Sequence, residues 1–303
     1  MMKKVHFKSG KSTLTGDLYI PEQLNAPVPA VVIIGPMTYV KEQAPTNYAK
    51  RLATQGFIAL AFDCRYRGES GGEPRAYENP LHKVEDIKAA VNFLASYPDV
   101  DSDKIAGLGI CQGSSEMLRA IAEEPRIKVG ATIAGQYRDR EGSIEWLGED
   151  GYQKRLEAGK KAKQKYEQTG EVEYIPAVDE ENMEVGMPGK MVWDWYHHWS
   201  DRGVWENFYA VMSDAELLPY ESISAAQQMQ TPYLMIHSDN CMQPAAARRH
   251  YEAMPTSDKK LLWQGETMHL QFYDDPKIVS SAVVNVADWF EKHLLQKVPT
   301  HSM

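Results

Sequence analysis

The sequence predicts an α/β fold in which a mostly parallel central sheet is flanked by helices and carries an inserted helical cap. Apolar, β-branched runs that suit strands buried on both faces alternate with stretches of helical apolar periodicity. This alternation stops near residue 136 and resumes at residue 231. The length of 303 residues accommodates one large core with an insertion. We therefore assign residues 1–135 and 231–303 to an α/β core and residues 136–230 to an inserted cap.

The first half of the core begins with two short strands joined by the turn residues Ser9-Gly10, which predicts an antiparallel hairpin at one edge of the sheet. The next apolar runs are continuous, as in strands covered by helices on both faces, and Gly35-Pro36 ends the first of them. Helical stretches separate these runs, which is the order of a parallel sheet. The predicted strands are 3–7, 14–20, 30–34, 56–62, 104–109 and 128–133, and the predicted helices are 45–55, 84–95 and 113–123.

The second half of the core repeats this order and ends in a long helix at 276–295. One apolar stripe runs along that helix, Asp275 is its predicted N-cap, and Pro276 occupies the first helical position. Inside the cap, 152–168 is weakly amphipathic and predicts a helix, whereas four tryptophans crowd into 193–205. The remaining predicted elements are strands at 233–237 and 260–263 and a helix at 245–254.

Composition excludes several classes of protein. With 33 Lys and Arg against 42 Asp and Glu, the formal net charge is −9, which disfavours binding to nucleic acid or to an anionic membrane surface. The three cysteines lack the C-x-x-C spacing of a zinc site and are too few and odd in number for a disulfide framework. No apolar run approaches the roughly 18 residues of a membrane span. We therefore expect a cytoplasmic protein.

The sharpest chemical signal is Gly109-Ile110-Cys111-Gln112-Gly113, where a predicted strand ends and a helix begins. A nucleophile in such a tight turn has a strained backbone, and glycines two residues to either side allow the strand and the helix to approach closely. A helix N-terminus also favours a thiolate. Cys111 is therefore the candidate nucleophile, and the alternative is a small buried residue in a glycine-rich turn.

Histidines supply the candidate base. His269 lies in the loop between the last predicted strand and the last helix, from which it can reach over the carboxyl edge of the sheet, where ligands of open α/β folds bind. His237, at the end of a strand, is interpreted as buried and structural. His197 and His198 are adjacent and are expected to point to different sides, and no Cys or His is spaced to complete a zinc site. We assign no metal and no cofactor.

At these motifs the chain resembles the α/β-hydrolase superfamily, specifically the dienelactone-hydrolase-like branch with a Gly-x-Cys-x-Gly nucleophile elbow. The similarity extends to the strand and loop at 31–37, to an Asp-x-Arg-x-x-Gly-x-Ser turn at 63–70, and to the segments 231–244 and 268–274. Nucleophile, acid and histidine follow one another in the family's order. The resemblance implies an α/β-hydrolase fold and an oxyanion hole made by the backbone N–H groups of Met37 and Gln112.

Two positions depart from the family's pattern. Gly35-Pro36 stands where His-Gly is usual, and Thr38 is expected to supply polarity there. Cys241 stands where the acid is usual, and Asp239 is the nearest carboxylate in the same loop. A carboxylate that accepts one imidazole N–H turns the other nitrogen of His269 toward the nucleophile. Asp239 is therefore the candidate acid, and the alternative is a dyad without an acid.

Aromatic residues of the cap have two interpretations, which the sequence leaves open. They either pack the cap's own small core or line an apolar pocket over Cys111. In the second case Trp193, Trp195 and Trp199 contact the substrate together with Thr38.

These residues predict a hydrolase that cleaves an ester, thioester or lactone of a small, largely apolar acyl substrate. Cys111 forms the acyl-enzyme and His269 is the base. A soft thiolate favours activated esters, thioesters and lactones over amides. The alternatives are an acyl transferase or cyclase of a biosynthetic pathway on the same fold, and a non-catalytic binding protein that has lost the triad acid. The expected partner is a small acyl molecule, and the sequence is compatible with a homodimer.

Overall fold

The computed structural model describes residues 1–24 and 26–295, and its centre is an eight-stranded sheet. The strands follow the order β1-β2-β4-β3-β5-β6-β9-β10, and all neighbours are parallel except that β2 pairs antiparallel with both β1 and β4. The strands are β1 (Met2–Ser9), β2 (Ser12–Tyr19), β3 (Val28–Ile34), β4 (Ile58–Phe62), β5 (Val100–Ile110), β6 (Ile127–Ile133), β7 (Tyr174–Ile175), β8 (Tyr209–Ala210), β9 (Tyr233–His237) and β10 (Lys259–Trp263).

Helices cover both faces of this sheet. Buried side chains of α1 and α10 pack on one face, and those of α2, α3 and α8 pack on the other. The helices are α1 (Ala44–Thr54), α2 (Pro80–Ala95), α3 (Gly113–Glu123), α4 (Arg140–Thr169), α5 (Lys190–Asp201), α6 (Asp214–Leu217), α7 (Ile223–Ala226), α8 (Pro244–Ala253), α9 (Gln271–Asp274) and α10 (Pro276–Leu294). This arrangement confirms the predicted mostly parallel sheet with flanking helices.

Local sequence signals explain where several elements begin. The Asp275 side chain accepts hydrogen bonds from the backbone N–H groups of Lys277 and Ile278, as expected of the N-cap of α10. Helix α2 starts four residues earlier than predicted, because Asn79 caps it and Pro80 occupies its first position. The first two strands pair as the predicted edge hairpin.

Residues 136–230, the segment predicted as a cap, contain α4 to α7 and the two short strands β7 and β8. These strands pair with each other and form a separate sheet. Helix α4 is nearly twice as long as predicted. Its backbone is kinked at Gly148, where φ is 70°. Trp193, Trp195 and Trp199 lie in α5, which the sequence did not predict as a helix, and Trp205 follows it. Below, residues 136–230 are called the inserted segment.

The fold brings the carboxyl ends of the parallel strands to one edge of the sheet. The turns that follow β3, β5, β9 and β10 therefore meet above this edge, and these turns carry the predicted functional residues. None of the helices in residues 1–24 and 26–295 combines the length and the apolar character needed to cross a membrane.

Candidate active site

Cys111 lies in a tight turn between β5 and α3 and has a φ of 53°, in the left-handed region that residues other than glycine rarely adopt. The flanking glycines make this turn possible. A Cβ atom at Gly109 would lie 2.7 Å from the carbonyl oxygen of Gly113, and one at Gly113 would lie 2.5 Å from the carbonyl oxygen of Gly35. Both distances are shorter than a carbon–oxygen contact allows, so the close approach of the strand and the helix requires both glycines.

Burial and local hydrogen bonding have opposite effects on the Cys111 thiol. Burial raises the pKa of the thiol above its usual value, and hydrogen bonds from the Tyr273 hydroxyl and from the backbone N–H groups of Gln112 and Met37 oppose this effect. Burial has the larger influence on the pKa of this thiol, so it outweighs the groups that favour the thiolate. The structure does bring Met37 and Gln112, the two predicted backbone donors, to the same sulfur.

The loop that carries Met37 is held by the inserted segment. The Tyr196 hydroxyl donates a 3.0 Å hydrogen bond to the carbonyl oxygen of Met37, and the Trp205 indole N–H donates a 2.7 Å bond to that of Thr38. These two bonds fix the carbonyl groups of Met37 and Thr38, although Gly35-Pro36 replaces the usual His-Gly.

Loss of the Tyr196 hydroxyl should make the Cys111 sulfur less reactive. Tyr196→Phe removes one buried hydrogen bond that fixes the Met37 peptide, and we expect it to slow alkylation of Cys111 by iodoacetamide at pH 8 about fivefold, the equivalent of ~1 kcal/mol. The matched control is Tyr209→Phe, since Tyr209 is also buried in the inserted segment but donates to Asp214. Equal alkylation rates in the two variants would contradict the anchoring role of Tyr196.

His269 is buried beside this sulfur, but the hydrogen bonds of the described residues include none between His269 and Cys111. Its Nδ1 accepts a 3.2 Å hydrogen bond from the backbone N–H of Met242, and its Nε2 lies 3.0 Å from the Tyr273 hydroxyl. Burial, together with the charge of His237, lowers the pKa of His269 to about 3. The imidazole is therefore neutral at physiological pH, and its Nε2 faces the Tyr273 hydroxyl.

The structure does not place Asp239 next to His269. Its side chain is 64% exposed, accepts a 2.9 Å hydrogen bond from the Trp263 indole N–H, and lies 3.8 Å from Arg248. The reason is that the backbone N–H of Asp239 donates to Gly265 on the neighbouring turn, which holds this part of the loop at the surface. The prediction that Asp239 orients the imidazole is thus not supported by this geometry.

A largely apolar cavity of about 140 Å³ opens onto Cys111. Of the described residues that line it, none is Asp, Glu, Lys or Arg, and four are methionines. Its wall is formed by Pro36, Met37, Cys111, Gln136, Trp146, Met187, Pro188, Gly189, Met191, Val192, Tyr196, Met242, His269, Leu270 and Tyr273. The volume is below the roughly 300–1,000 Å³ of sites for drug-sized ligands, so the cavity fits a small apolar group.

The tryptophans predicted to contact substrate do not line this cavity, and neither does Thr38. Helix α5 turns Val192 and Tyr196, which are four residues apart, toward the cavity. Trp193 stacks on His197, whereas Trp195 and Trp199 lie on another face with ring centroids 5.7 Å apart. Thr38 is fully buried, and its hydroxyl contacts the Met187 sulfur. The packing interpretation therefore fits these four residues better.

Glu116 and Arg138, which the sequence did not single out, hydrogen-bond to Gln112 in the turn around Cys111. The side chain of Gln112 donates to Glu116 at 3.1 Å and accepts from Arg138 at 2.9 Å, and all three are buried. Burial raises the pKa of Glu116 to about 7. This network fixes the residue whose backbone N–H faces the Cys111 sulfur. A helical spacing of four between Gln112 and Glu116 was the available signal.

His237 is fully buried, as interpreted, with its ring nitrogens 3.0 Å from the backbone carbonyls of Gly135 and Ser238. The expectation that His197 and His198 point to different sides is wrong, because their ring centroids are 3.8 Å apart. Together with Asp201 they bring three potential ligand atoms within 4.8 Å of one another. This group lies on α5 and is not among the residues that line the cavity.

Comparison with known proteins places this arrangement in a known fold. The α/β hydrolase GrgF from Penicillium sp. sh18 superimposes with a TM-score of 0.83 over 98% of this chain and 100% of GrgF, at 22% sequence identity. The chain has the α/β-hydrolase fold. A profile of the Dienelactone hydrolase family matches residues 14–143, a range that contains Met37, Cys111 and Gln112. This match supports a hydrolase.

Sequence relatives of this α/β-hydrolase-fold chain have diverse names. The uncharacterized protein YcjY of Escherichia coli (strain K12) is 28% identical over 97% of this chain and 100% of YcjY. The thiohydrolase apmlB of Arthrinium phaeospermum is 32% identical over 44% of this chain and 43% of that protein. The polyketide transferase claH of Penicillium crustosum is 36% identical over 43% of this chain and 44% of that protein.

Proposed function

We propose that the protein hydrolyses esters, thioesters or lactones of small apolar acyl groups through an acyl-enzyme on Cys111. The observation that carries the proposal is the position of the sulfur. Cys111 lies at the floor of an apolar cavity, in a strained turn, with two backbone N–H groups directed at it. Sulfur, oxyanion donors and a binding cavity are the three components that acyl transfer to a cysteine requires.

The two backbone donors have a role in this reaction. Attack of the sulfur on the acyl carbon creates a tetrahedral intermediate whose oxygen carries a negative charge. That oxygen lies one bond from the carbon attached to sulfur, so the N–H groups of Met37 and Gln112, which face the sulfur in the free chain, are close enough to donate to it. The Met37 donor depends on Tyr196 and Trp205, which hold its loop.

The cavity indicates the class of acyl group. Its lining supplies methionine, proline, leucine, valine and aromatic side chains, and the described part of the lining contains no cation that could pair with a substrate carboxylate. Methionine side chains adapt to apolar groups of different shape. A neutral, apolar acyl chain is therefore favoured over a charged one, and the small volume favours a short chain.

A panel of thioesters that differ only in the acyl group tests this specificity. We expect kcat/KM for a butanoyl or hexanoyl thioester to exceed that for the matched succinyl thioester at least a hundredfold, because the succinyl carboxylate would enter the cavity unpaired. Matched butanoyl amides should be cleaved far more slowly than the thioesters. Equal rates for hexanoyl and succinyl thioesters would contradict the proposed substrate class.

Acyl transfer to an acceptor other than water is the second candidate, and the name of the relative claH supports it. In that case an alcohol, thiol or internal nucleophile attacks the same Cys111 acyl-enzyme. The two functions differ in their products. Added primary alcohols should form new esters in proportion to their concentration if the protein is a transferase, and should leave the free acid as the main product if it is a hydrolase.

A further inference from the structure

Tyr273 occupies the space between the two residues that the proposed reaction couples. Its hydroxyl lies 3.0 Å from Nε2 of His269, and the residue lines the same cavity as Cys111, where hydrogen bonding from it opposes the rise in the pKa of the thiol. The residue is 2% exposed, on the short helix α9 that begins two residues after the histidine. Two further contacts fix that helix. The Asn47 side-chain amide donates to the carbonyl oxygen of Tyr273, and the Tyr48 hydroxyl donates to that of Phe272.

The hydrogen bonds around His269 determine which nitrogen carries the proton. The backbone N–H of Met242 can only donate, so Nδ1 of His269 must accept. A neutral imidazole has one N–H, which is therefore on Nε2 and is directed at the Tyr273 oxygen. The Tyr273 oxygen can still accept the Cys111 thiol proton, and its own hydroxyl proton is then free for another acceptor.

This arrangement is poorly suited to a histidine base. A base at Nε2 needs a free lone pair, and after it takes the proton it needs an acceptor for the N–H at Nδ1. Here Nε2 already carries the proton, and Nδ1 faces the Met242 N–H instead of a carboxylate. Burial also disfavours the charged imidazolium, as the lowered pKa of His269 indicates.

We propose that Tyr273 is a catalytic residue that relays the proton in both halves of the reaction, with His269 as a neutral hydrogen-bond donor to its oxygen. This proposal rests on the proposed function of Cys111 and deepens it. It follows from the position of one hydroxyl in the cavity that Cys111 lines, beside an imidazole that has no acid partner among the described residues.

In acylation one bond forms and one breaks, while two protons move through Tyr273. The bond between the Cys111 sulfur and the acyl carbon forms, and the bond between that carbon and the leaving heteroatom breaks. The thiol proton passes to the Tyr273 oxygen while the original hydroxyl proton of Tyr273 passes to the leaving heteroatom. Tyr273 is a neutral phenol before and after the step. His269 donates from Nε2 throughout and stabilises any negative charge that develops on the phenol oxygen.

In deacylation Tyr273 again accepts one proton and donates another, this time to the sulfur. A water oxygen bonds to the acyl carbon, and the carbon–sulfur bond breaks. One water proton passes to the Tyr273 oxygen, and the hydroxyl proton of Tyr273 passes to the sulfur, which regenerates the thiol. Neither half-reaction changes the charge of His269, which suits its burial.

Substitution of Tyr273 tests the relay. Tyr273→Phe keeps the ring that packs edge-on against Trp195 and removes only the hydroxyl. We expect kcat to fall by roughly 10²–10⁴-fold, the range for loss of a general acid or base, with little change in KM. The matched control is Tyr19→Phe, because Tyr19 is buried elsewhere in the sheet and hydrogen-bonds to Thr46. Wild-type kcat in Tyr273→Phe overturns the proposal.

Two substitutions of His269 separate a donor from a base. The side-chain amide of His269→Gln can still donate to the Tyr273 oxygen, whereas His269→Ala cannot. The relay predicts that His269→Gln retains at least tenfold more kcat than His269→Ala. Equal loss in the two folded variants identifies His269 as the base and overturns the donor role assigned here.

A measurement on the unsubstituted protein tests the relay without depending on whether a variant folds. Single-turnover acylation in mixtures of light and heavy water should show the curved dependence on deuterium fraction of two protons in transfer, whereas a linear dependence indicates one proton and overturns the relay. Failure of the relay is distinguishable from failure of the proposed function. If Cys111→Ala is inactive and Tyr273→Phe is fully active, only the relay is wrong.

Discussion

Cys111→Ala is expected to lower kcat by roughly 10⁴–10⁶-fold, the loss seen when a covalent nucleophile is removed. The reason is chemical, since alanine cannot form the acyl bond. The positive φ at this position is no harder for alanine to adopt than for cysteine, because both carry a Cβ. The variant should therefore keep its thermal unfolding midpoint within a few degrees of the unsubstituted protein, as measured by calorimetry.

The matched control is Cys64→Ala. Cys64 is as buried as Cys111 but contacts the Tyr39 hydroxyl and lies outside the cavity lining. We expect this variant to lose stability and to keep its kcat. If Cys111→Ala retained more than about a hundredth of the original kcat, Cys111 would not be the nucleophile. If it kept the binding of acyl ligands and no reaction were found for either protein, the non-catalytic alternative would stand.

Gly113→Ala is expected to cost about 3 kcal/mol of unfolding free energy or to prevent folding. The added methyl group would lie 2.5 Å from the carbonyl oxygen of Gly35 and 2.9 Å from that of Ile34. These atoms belong to the backbone at the end of β3, so they cannot yield as a flexible side chain would. The ~1 kcal/mol that alanine usually gains over glycine in a helix does not offset this overlap. Denaturant unfolding measures the difference.

Gly151→Ala serves as the control for this substitution. Gly151 lies inside helix α4, and a methyl group there would meet only the Leu147 side chain at 3.6 Å, an ordinary contact. It should leave stability unchanged or raise it by up to ~1 kcal/mol. A Gly113→Ala variant as stable as Gly151→Ala would show that the turn around Cys111 does not need the close approach described above.

The sequence predicted the central sheet well because its strands are unambiguous. Continuous apolar runs such as Ile58–Phe62 are buried on both faces, as in a central parallel strand. The turn at Cys111 is equally well defined, because its flanking glycines allow the close approach of the strand and the helix. The inserted segment was predicted less well. Helix α5 presents aromatic residues on several faces, so its tryptophans gave no clear helical stripe.

The weakest prediction concerned the partners of His269. Sequence proximity suggested Asp239, but the loop of six residues between β9 and α8 is short enough for one hydrogen bond to direct it away. Tyr273 was overlooked because it falls in a segment interpreted as a loop. In the structure these residues form a helical turn, which places a side chain four positions after the histidine beside it.

Trapping the covalent intermediate is the most direct test of the Cys111 acyl-enzyme. A short-chain thioester is mixed with excess protein, quenched in acid at successive times, and analysed by intact-protein and peptide mass spectrometry. The account predicts an added mass equal to the acyl group on the peptide that contains Cys111, which forms and decays at least as fast as turnover. Turnover with no adduct, or with an adduct on Ser114 or Ser115 instead, would contradict it.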